Sequence, residues 1–237
     1  MPQTLKIVTW NCNGKFREKY KEIVQLNADI YIIQECENPV LTNNDNYKAW
    51  SQHHIWVGEN KNKGLGVFFR EDLKIKPLEW DSVGLKYFIP FCIGKEIVVI
   101  ATWCHHANSP TFGYIGQLWK YLQLHKAKII KGIVAGDLNS NAIWDKWDRW
   151  WNHSDVVQEL STDGIYSMYH TLTNAEHGKE STPTFFLQKN PQKPYHIDYV
   201  FASKILIPEG SSNIEIGERE EWIKWSDHMP ITATLVI

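Results

Sequence analysis

The chain has no surplus of charge in either direction. Its 237 residues include 25 Lys and Arg against 27 Asp and Glu, a formal net charge of −2. Proteins that bind nucleic acid without preference usually carry a basic surplus, because neutralising phosphates releases counterions. Any such surface here has to be a local patch offset by acids elsewhere. Cysteine is also scarce. Cys12, Cys36, Cys92 and Cys104 form no CxxC pair and no zinc-like spacing with histidine, which excludes a disulfide scaffold and a thiolate zinc module. Reduced thiols in a reducing compartment are expected. Long apolar runs are missing too: stretches such as 97–103 have strand length and cannot cross a bilayer. Lys6 follows Met1 closely, and the run Leu5–Trp10 is too short for the core of a leader peptide. These absences predict a cytoplasmic monomer with no membrane partner. With no internal repeat, low-complexity tract or linker, one domain is expected over residues 1–237.

Hydrophobic residues make up 43% of the chain and charged residues 22%, the composition of an ordinary globular protein. Short runs rich in β-branched residues predict strands at Leu5–Trp10, Ile30–Gln34, Gly66–Phe69, Ile97–Thr102, Ile133–Ala135, His196–Phe201 and Thr232–Ile237. Continuous apolar runs such as Ile97–Ala101 suit strands covered on both faces. Helical spacing of apolar residues predicts helices over Phe16–Leu26 and Tyr114–Leu124, and Ser154 reads as the cap of a short helix reaching Leu160. Strands mixed with helices throughout favour an α/β sandwich. Periodicity alone does not separate that layout from a doubly wound sheet.

The polar residues at the ends of these strands carry the chemistry. Leu5–Trp10 runs into Asn11-Cys12-Asn13-Gly14, Ile30–Gln34 into Glu35, and Ile133–Ala135 into Gly136-Asp137-Leu138-Asn139. Asp198 lies within a strand, and Ser226-Asp227-His228 precedes the final one. Strand ends are rigid places from which to aim a side chain. Each segment alone has a plain structural reading: Asn-x-Asn-Gly and Gly-Asp-x-Asn are turn sequences, a strand-closing Glu is usually solvated, and Ser-Asp-His reads as a loop with cap residues. Asp198 is the exception, since an unpaired buried carboxylate is costly.

Taken in order, Thr9-Trp10-Asn11-Cys12-Asn13-Gly14, Gln34-Glu35, Gly136-Asp137-Leu138-Asn139-Ser140, Ile197-Asp198-Tyr199 and Ser226-Asp227-His228-Met229-Pro230-Ile231 resemble the endonuclease/exonuclease/phosphatase superfamily. The resemblance spans nearly the whole chain. It implies a DNase I-like four-layer α/β sandwich, two central β-sheets packed face to face with helices outside. It also implies hydrolysis of phosphodiesters with Mg²⁺ or Mn²⁺, hard cations that prefer carboxylate and water oxygens. On that resemblance Glu35 is the principal metal ligand, Asp227 a second or water-mediated one, and Asn11 fixes the metal shell or the phosphate. Asp137 orients or deprotonates the attacking water, and Asn139 holds it in register. His228, oriented by Asp198, donates to a phosphate oxygen, and either Asp137 or His228 serves as general base. Asn13, Trp103, His105, His106 and Asn141 are candidate substrate contacts.

Two positions depart from the family pattern. Trp103 stands where many members carry His or Tyr, so a scheme with two catalytic histidines would need His105 or His106 instead. Asn13 stands where abasic-site endonucleases often have Asp, which weakens the case for that activity and for a second metal.

The 12 tryptophans include four within Trp144-Asp145-Lys146-Trp147-Asp148-Arg149-Trp150-Trp151. Such a segment either stacks on bases or covers a core edge beneath a short helix, and the second reading is favoured. Lys61, Lys63, Lys189 and Lys193 are solvated loop residues or track a nucleic-acid backbone. A nuclease acting on DNA or RNA is the first expectation. A phosphatase or phosphodiesterase on a small or lipid phosphate is the alternative, and a non-catalytic nucleic-acid binder the second.

Overall fold

A computed structural model describes residues 3–106, 109, 111–129 and 131–237. The loop expected at 105–113 therefore lies partly outside the described residues. Fourteen strands are formed among them. The first seven are β1 (Thr4–Asn11), β2 (Ile30–Cys36), β3 (His54–Asn60), β4 (Lys63–Phe69), β5 (Ile75–Pro77), β6 (Phe88–Ile93) and β7 (Ile97–Trp103). They are followed by β8 (Ile133–Asp137), β9 (Ile165–Ser167), β10 (Phe185–Phe186), β11 (Pro194–Tyr195), β12 (Asp198–Ser203), β13 (Asn213–Ile216) and β14 (Ile231–Val236). The helices are α1 (Phe16–Val24), α2 (Asp45–Trp50), α3 (Ile115–His125), α4 (His153–Thr162), α5 (Met168–Thr173) and α6 (Arg219–Trp222).

Two mixed six-stranded sheets form the centre, in the orders β13-β14-β1-β2-β4-β3 and β5-β6-β7-β8-β12-β9. Each has a parallel pair near its middle, β1 with β2 and β7 with β8, and antiparallel neighbours elsewhere. The period of two along a strand divides each sheet into faces. Leu5 and Ile7 of β1, Ile30 and Ile32 of β2, Val99 and Ala101 of β7, Ile133 and Ala135 of β8, and Val200 and Ala202 of β12 share one apolar core between the sheets. The alternate residues Val8, Trp10, Tyr31 and Ile33 pack outward with Phe16, Tyr20 and Ile23 of α1 and Tyr47 of α2. On the other side, Ile100, Val134, Tyr199 and Phe201 pack with Leu118, Tyr121 and Leu122 of α3 and Val156 and Leu160 of α4. The product is the expected α/β sandwich of two face-to-face sheets with helices outside.

Every predicted strand is present to within a few residues at either end, whereas β3, β5, β6, β9, β10, β11 and β13 went unpredicted. Apart from β6 they are edge or very short strands, several half-exposed, with little apolar signal to read. β6 is an interior, mostly buried strand whose apolar run is interrupted by Pro90, a residue that argues against an interior strand. The cap of α4 differs from expectation. Asn152 precedes the helix and its N–H donates to the Asp155 carboxylate at 2.7 Å, while Ser154 lies inside and donates its own N–H to Asp145 at 3.2 Å. The tryptophan-rich segment divides: Trp144, Trp147 and Trp150 are 44%, 98% and 63% exposed and cover no core edge, whereas Trp151 is half-buried and packs against Phe112 and Gly116 of α3.

Gly136 controls how closely the two central strands of the second sheet can approach the site. Its φ is +150°, and a Cβ there would lie 1.8 Å from the Thr102 carbonyl oxygen. Gly136→Ala is expected to lower unfolding free energy by roughly 2–4 kcal/mol, because both the backbone conformation and the β7–β8 spacing must yield. Urea denaturation read by tryptophan fluorescence measures it, and a wild-type midpoint would mean the strand can shift freely.

Candidate active site

The inter-sheet stripe turns polar at one rim. Asn11 continues the parity of Leu5, Ile7 and Thr9 on β1, Asp137 that of Ile133 and Ala135 on β8, and Asp198 that of Val200 and Ala202 on β12. Thus the residues that close the apolar stripe face each other across the gap between the sheets. Asp198 and Asp137 are direct partners in the antiparallel β8–β12 register, and neither side chain reaches solvent to any extent. Two buried carboxylates opposite one another are unfavourable unless donors or cations are aimed at them.

Those donors are present. Asn11 Nδ2 donates to Asp137 Oδ2 at 3.0 Å. The Asn139 backbone N–H donates to Asp137 Oδ1 at 2.8 Å and its amide to Oδ2 at 2.9 Å. Asn139 reaches this position through a φ of +46°, a conformation asparagine tolerates well. Asp198 is served by His228, whose Nδ1–H donates at 3.0 Å to Oδ2 and lies 3.2 Å from Oδ1. The backbone N–H groups of Ile197 and Asp198 both donate to Thr184 Oγ1 at 3.0 Å, fixing the entry to β12. His228 is anchored in turn: Trp10 Nε1–H donates to its carbonyl at 2.9 Å, and its own N–H donates to Ser226 Oγ at 3.0 Å. Ser226 Oγ–H donates to the Asn11 carbonyl at 2.7 Å, closing a loop of bonds between the first and last strands. The His228 Nε2 makes no hydrogen bond among the described residues and is free for a ligand.

The electrostatics follow from this packing. Burial, and then the neighbouring charge of Asp198, push the Asp137 carboxyl up to about 7 against the opposing pull of His228, Asn11 and Asn139. Burial alone would pull the His228 imidazole down, but the charge and hydrogen bond of Asp198 outweigh it and raise the ring to about 9. The ring is therefore an imidazolium at neutral pH.

Glu35 arrives by a different device. On β2, Ile30, Ile32 and Gln34 face the inter-sheet gap, and regular alternation would send residue 35 to the helix side. A bulge intervenes: Gln34 pairs with Leu65 and Cys36 with Gly64, so the register shifts between them, and Glu35 has a φ of +62°. Glu35 Oε1 then lies 3.5 Å from Asn11 Nδ2, and Oε2 lies 2.9 Å from Lys63 Nζ. Lys63 also stands 5.5 Å from the centre of the Trp103 ring. On the opposite edge, Asn13 Nδ2 donates to Asp227 Oδ1 at 2.9 Å while its N–H donates to Asn11 Oδ1 at 3.0 Å.

The structure thus brings Asn11, Asn13, Glu35, Asp137, Asn139, Asp198, Asp227 and His228 to one rim. Asp137, Asp198 and His228 offer ligand atoms within 4.8 Å of one another. Glu35 and Asp227 stand outside that tight group and are linked to it by the amides of Asn11 and Asn13. The donors of Glu35, Asn11, Asp137 and Asp227 are all oxygens, a set that fits a hard divalent cation. Glu35 already holds one positive charge, the Lys63 ammonium.

The candidate substrate contacts divide. Trp103 is buried against Tyr87 and His105, with ring centres 4.6 and 4.7 Å away. His105 is half-buried, and burial and then Lys63 lower its pKa while Glu35 raises it, so it belongs to the Glu35 edge. His106 is exposed and stacks on Tyr114. Asn141 is spent elsewhere: its amide donates to the His196 carbonyl, Tyr199 Oη and Glu180 Oε2 at 2.9, 3.1 and 3.1 Å. Arg149 and Trp144, from the tryptophan-rich segment, line a cavity of about 200 Å³ together with Asn139 and Ser140. Residues not singled out from the sequence are Thr184 and, as an anchor, Ser226. Their signal is spatial, since nothing in their local sequence marks them.

A sequence profile of the Endonuclease/Exonuclease/phosphatase family matches residues 8–228. The chain belongs to this family. It is accordingly a phosphoester hydrolase of the DNase I-like class. Solved structures share the family fold. A 3'-5' exonuclease (NExo) from Neisseria meningitidis is 18% identical, with a TM-score of 0.71 over 98% of this chain and 100% of that one. An AP endonuclease from Archaeoglobus fulgidus is also 18% identical, with a TM-score of 0.67 over 98% and 100%. Truncated TDP2 from Caenorhabditis elegans is 15% identical, with a TM-score of 0.65 over 99% and 98%. No curated protein sequence matches this chain significantly. Among the described residues no helix is long and apolar enough to cross a membrane.

The bond from Asn11 to Asp137 has a measurable worth in this family member. Asn11→Leu removes a donor from a wholly buried carboxylate, and stability is expected to fall by roughly 1–3 kcal/mol. Chemical denaturation in chelator tests this, and an unchanged unfolding free energy would show that Asp137 does not depend on the amide.

Proposed function

We propose that the chain is a Mg²⁺- or Mn²⁺-dependent nuclease. One observation carries the catalytic part of this reading: two buried carboxylates, Asp137 and Asp198, are held side by side with an imidazolium at their edge. A protein that only bound nucleic acid would have no use for so costly a cluster. Glu35, with Asn11 beside it and Asp227 across the rim, is the group to hold the cation. When bound, the cation offsets the charge of the phosphate and of the leaving oxygen.

The chain's own groups do the rest. Asp137 accepts a hydrogen bond from the attacking water and orients it, with Asn11 and Asn139 fixing the carboxylate from two sides. His228 presents Nε2–H to a non-bridging phosphate oxygen, while Asp198 holds Nδ1 and keeps the ring charged. Asn139, whose amide also donates to the Cys104 carbonyl, keeps Asp137 in register. Nucleic acid is favoured over a small phosphoester by the surface beside Asn139. There Trp144 and Arg149 line a cavity with Asn139, and Trp147 and Trp150 are exposed in the same segment, a combination suited to stacking on bases and holding phosphates. Lys63 at the Glu35 edge adds a second positive group.

A single panel tests metal and substrate together, comparing plasmid DNA, single-stranded DNA, RNA, an abasic duplex, a generic phosphodiester and a phosphomonoester. Cleavage of nucleic acid is expected to require Mg²⁺ or Mn²⁺, and Glu35→Gln to reduce it by more than about 10²-fold while leaving the circular dichroism spectrum unchanged. Full activity in excess chelator overturns the mechanism. Faster turnover of the small substrates moves the protein to the phosphatase branch.

The pairing of Asp198 with His228 generates a further expectation. Loss of a well-placed charged donor costs about 10²–10³ in rate, so His228→Ala falls by at least that factor in kcat. Asp198→Asn is strongly impaired as well. The double variant is little worse than His228→Ala, as for groups that act as a unit. Fully additive losses in that cycle would separate the two residues.

A further inference from the structure

Four of the ten histidines gather away from the active-site rim, on the outer face of the second sheet. The rings of His153, His170, His177 and His196 surround Tyr199, with centres between 4.9 and 6.3 Å from it. Glu180 joins them. Its Oε1 lies 3.0 Å from His170 Nε2, and the ligand atoms of His170, His177 and Glu180 all lie within 4.8 Å of one another. His177 Nδ1 is in turn 3.2 Å from His153 Nε2. We propose that this cluster is a second metal site, which binds one Zn²⁺ through His170, His177 and Glu180. The His170 and His177 rings lie stacked, 3.5 Å apart with planes 12° apart, so His177 turns out of the stack to meet the ion, and His196 Nε2 is drawn in from outside the trio to complete the shell.

The hydrogen bonds on the far side of the rings support this. His196 Nδ1 faces the Thr182 carbonyl at 2.8 Å, an oxygen that only accepts, so Nδ1 carries the proton and a neutral ring keeps its lone pair on Nε2. That Nε2 is buried and has no partner. His170 Nδ1 is likewise engaged by Ser167 Oγ at 2.7 Å, which directs Nε2 toward Glu180. An oxygen partner behind each imidazole is the usual arrangement around a bound metal, where it sets tautomer and ring orientation. A second buried nitrogen, His153 Nδ1, is also unpartnered, on a ring with no solvent exposure. A self-contained hydrogen-bond cluster would leave no such orphans.

Charge state agrees with the geometry. Burial pushes the His153 imidazole down to about 3, and burial and then His170 bring His177 to about 4. Burial alone would raise the Glu180 carboxyl, but the metal-free hydrogen bonds from His170, whose Nε2 proton the ion would displace to solvent, from the Gly178 N–H and from Asn141 hold it far below the usual carboxylate range. Neutral imidazoles and an ionised carboxylate are the forms that ligate a metal. The nitrogen-rich donor set suits Zn²⁺ and contrasts with the all-oxygen groups near Glu35. A cavity of about 230 Å³ bordered by Glu180, Ser181, Tyr195 and His196 gives the ion a way in.

The site also has a consequence for the rim. The segment between α5 and β10 has no regular structure of its own, and it carries His177, Glu180 and Thr184. Glu180 Oε2 accepts from Asn141, two residues past Asn139, and Thr184 Oγ1 receives the Asp198 N–H. Zn²⁺ would therefore pin the segment that positions both active-site loops. These ligands are positioning residues and none touches substrate.

Metal analysis tests the proposal independently of any activity. Full-length protein is purified without chelator from zinc-supplemented medium, and its zinc content and thermal unfolding are measured with and without added zinc sulfate. About one equivalent of zinc is expected, with a raised Tm when zinc is restored to stripped protein. His177→Ala and Glu180→Gln are expected to lose the zinc, whereas Glu35→Gln keeps it. Should His177→Ala fail to fold, cobalt replacement in the wild-type chain gives a second readout, a visible d–d spectrum of four-coordinate Co²⁺ that zinc competes away. Zinc-free protein whose Tm ignores zinc sulfate would overturn the proposal. So would full zinc content in both ligand variants, or a six-coordinate cobalt spectrum.

Discussion

The placement of Asp137 directly opposite Asp198 is the constraint to which the rest of the rim answers. Both carboxylates sit at the buried end of an apolar stripe, where their mutual repulsion is weakly screened. Asn11 comes from the other sheet to donate to Asp137, and Asn139 folds back in a left-handed turn to donate twice more. His228 supplies the positive charge beside Asp198. The chain termini are drawn in as well, because Ser226 and Trp10 must tie the last turn to β1 for that imidazole to stay in place. The two sheets are therefore joined at this rim by polar bonds as firmly as they are joined below it by apolar contact.

The same parity explains how the apolar and polar parts of the chain cooperate. Along β1, β8 and β12 the inward positions are apolar until the one or two residues nearest the rim, and only then polar; β12 runs the opposite way, so there the polar residue, Asp198, comes first. No special local conformation is needed to aim Asn11, Asp137 or Asp198; the pleat that buries Ile7, Ile133 and Val200 aims them too. Gly136 lets β8 lie against Thr102 so closely that the stripe of the second sheet reaches the rim intact.

Much of this was legible in the sequence because it is local. The central strands announced themselves through runs of Ile and Val, and Asn11, Glu35, Asp137 and Asp198 stood out as polar ends to those runs. Their order along the chain matched one family, which the profile over residues 8–228 bears out. What escaped was information carried by space. Edge strands such as β3 and β13 have half-exposed, mixed faces. Asn152 and Asp155 cap α4 where Ser154 seemed the natural residue, since a cap is decided by where the chain turns. The exposure of Trp144, Trp147 and Trp150 could not be read from an aromatic count, and Asn141, two residues past Asn139, turns its amide toward Glu180 and Tyr199. Four histidines scattered between positions 153 and 196 gave no spacing signal before folding drew them around one tyrosine.

The bulge in β2 makes the position of Glu35 a matter of arithmetic as well as chemistry. Up to Gln34 the even residues face the gap between the sheets; after the extra residue the parity inverts, and Cys36 joins the cluster under α1 and α2. Were one residue removed from this stretch, the pleat would run on unbroken and a carboxylate in the place of Glu35 would point into the helix layer, among Trp10 and Phe16. Homologous strands can thus be compared safely only when they are counted from the bulge. An alignment that slides by a single position here would pair an acid at the polar rim with a thiol that faces a hydrophobic wall.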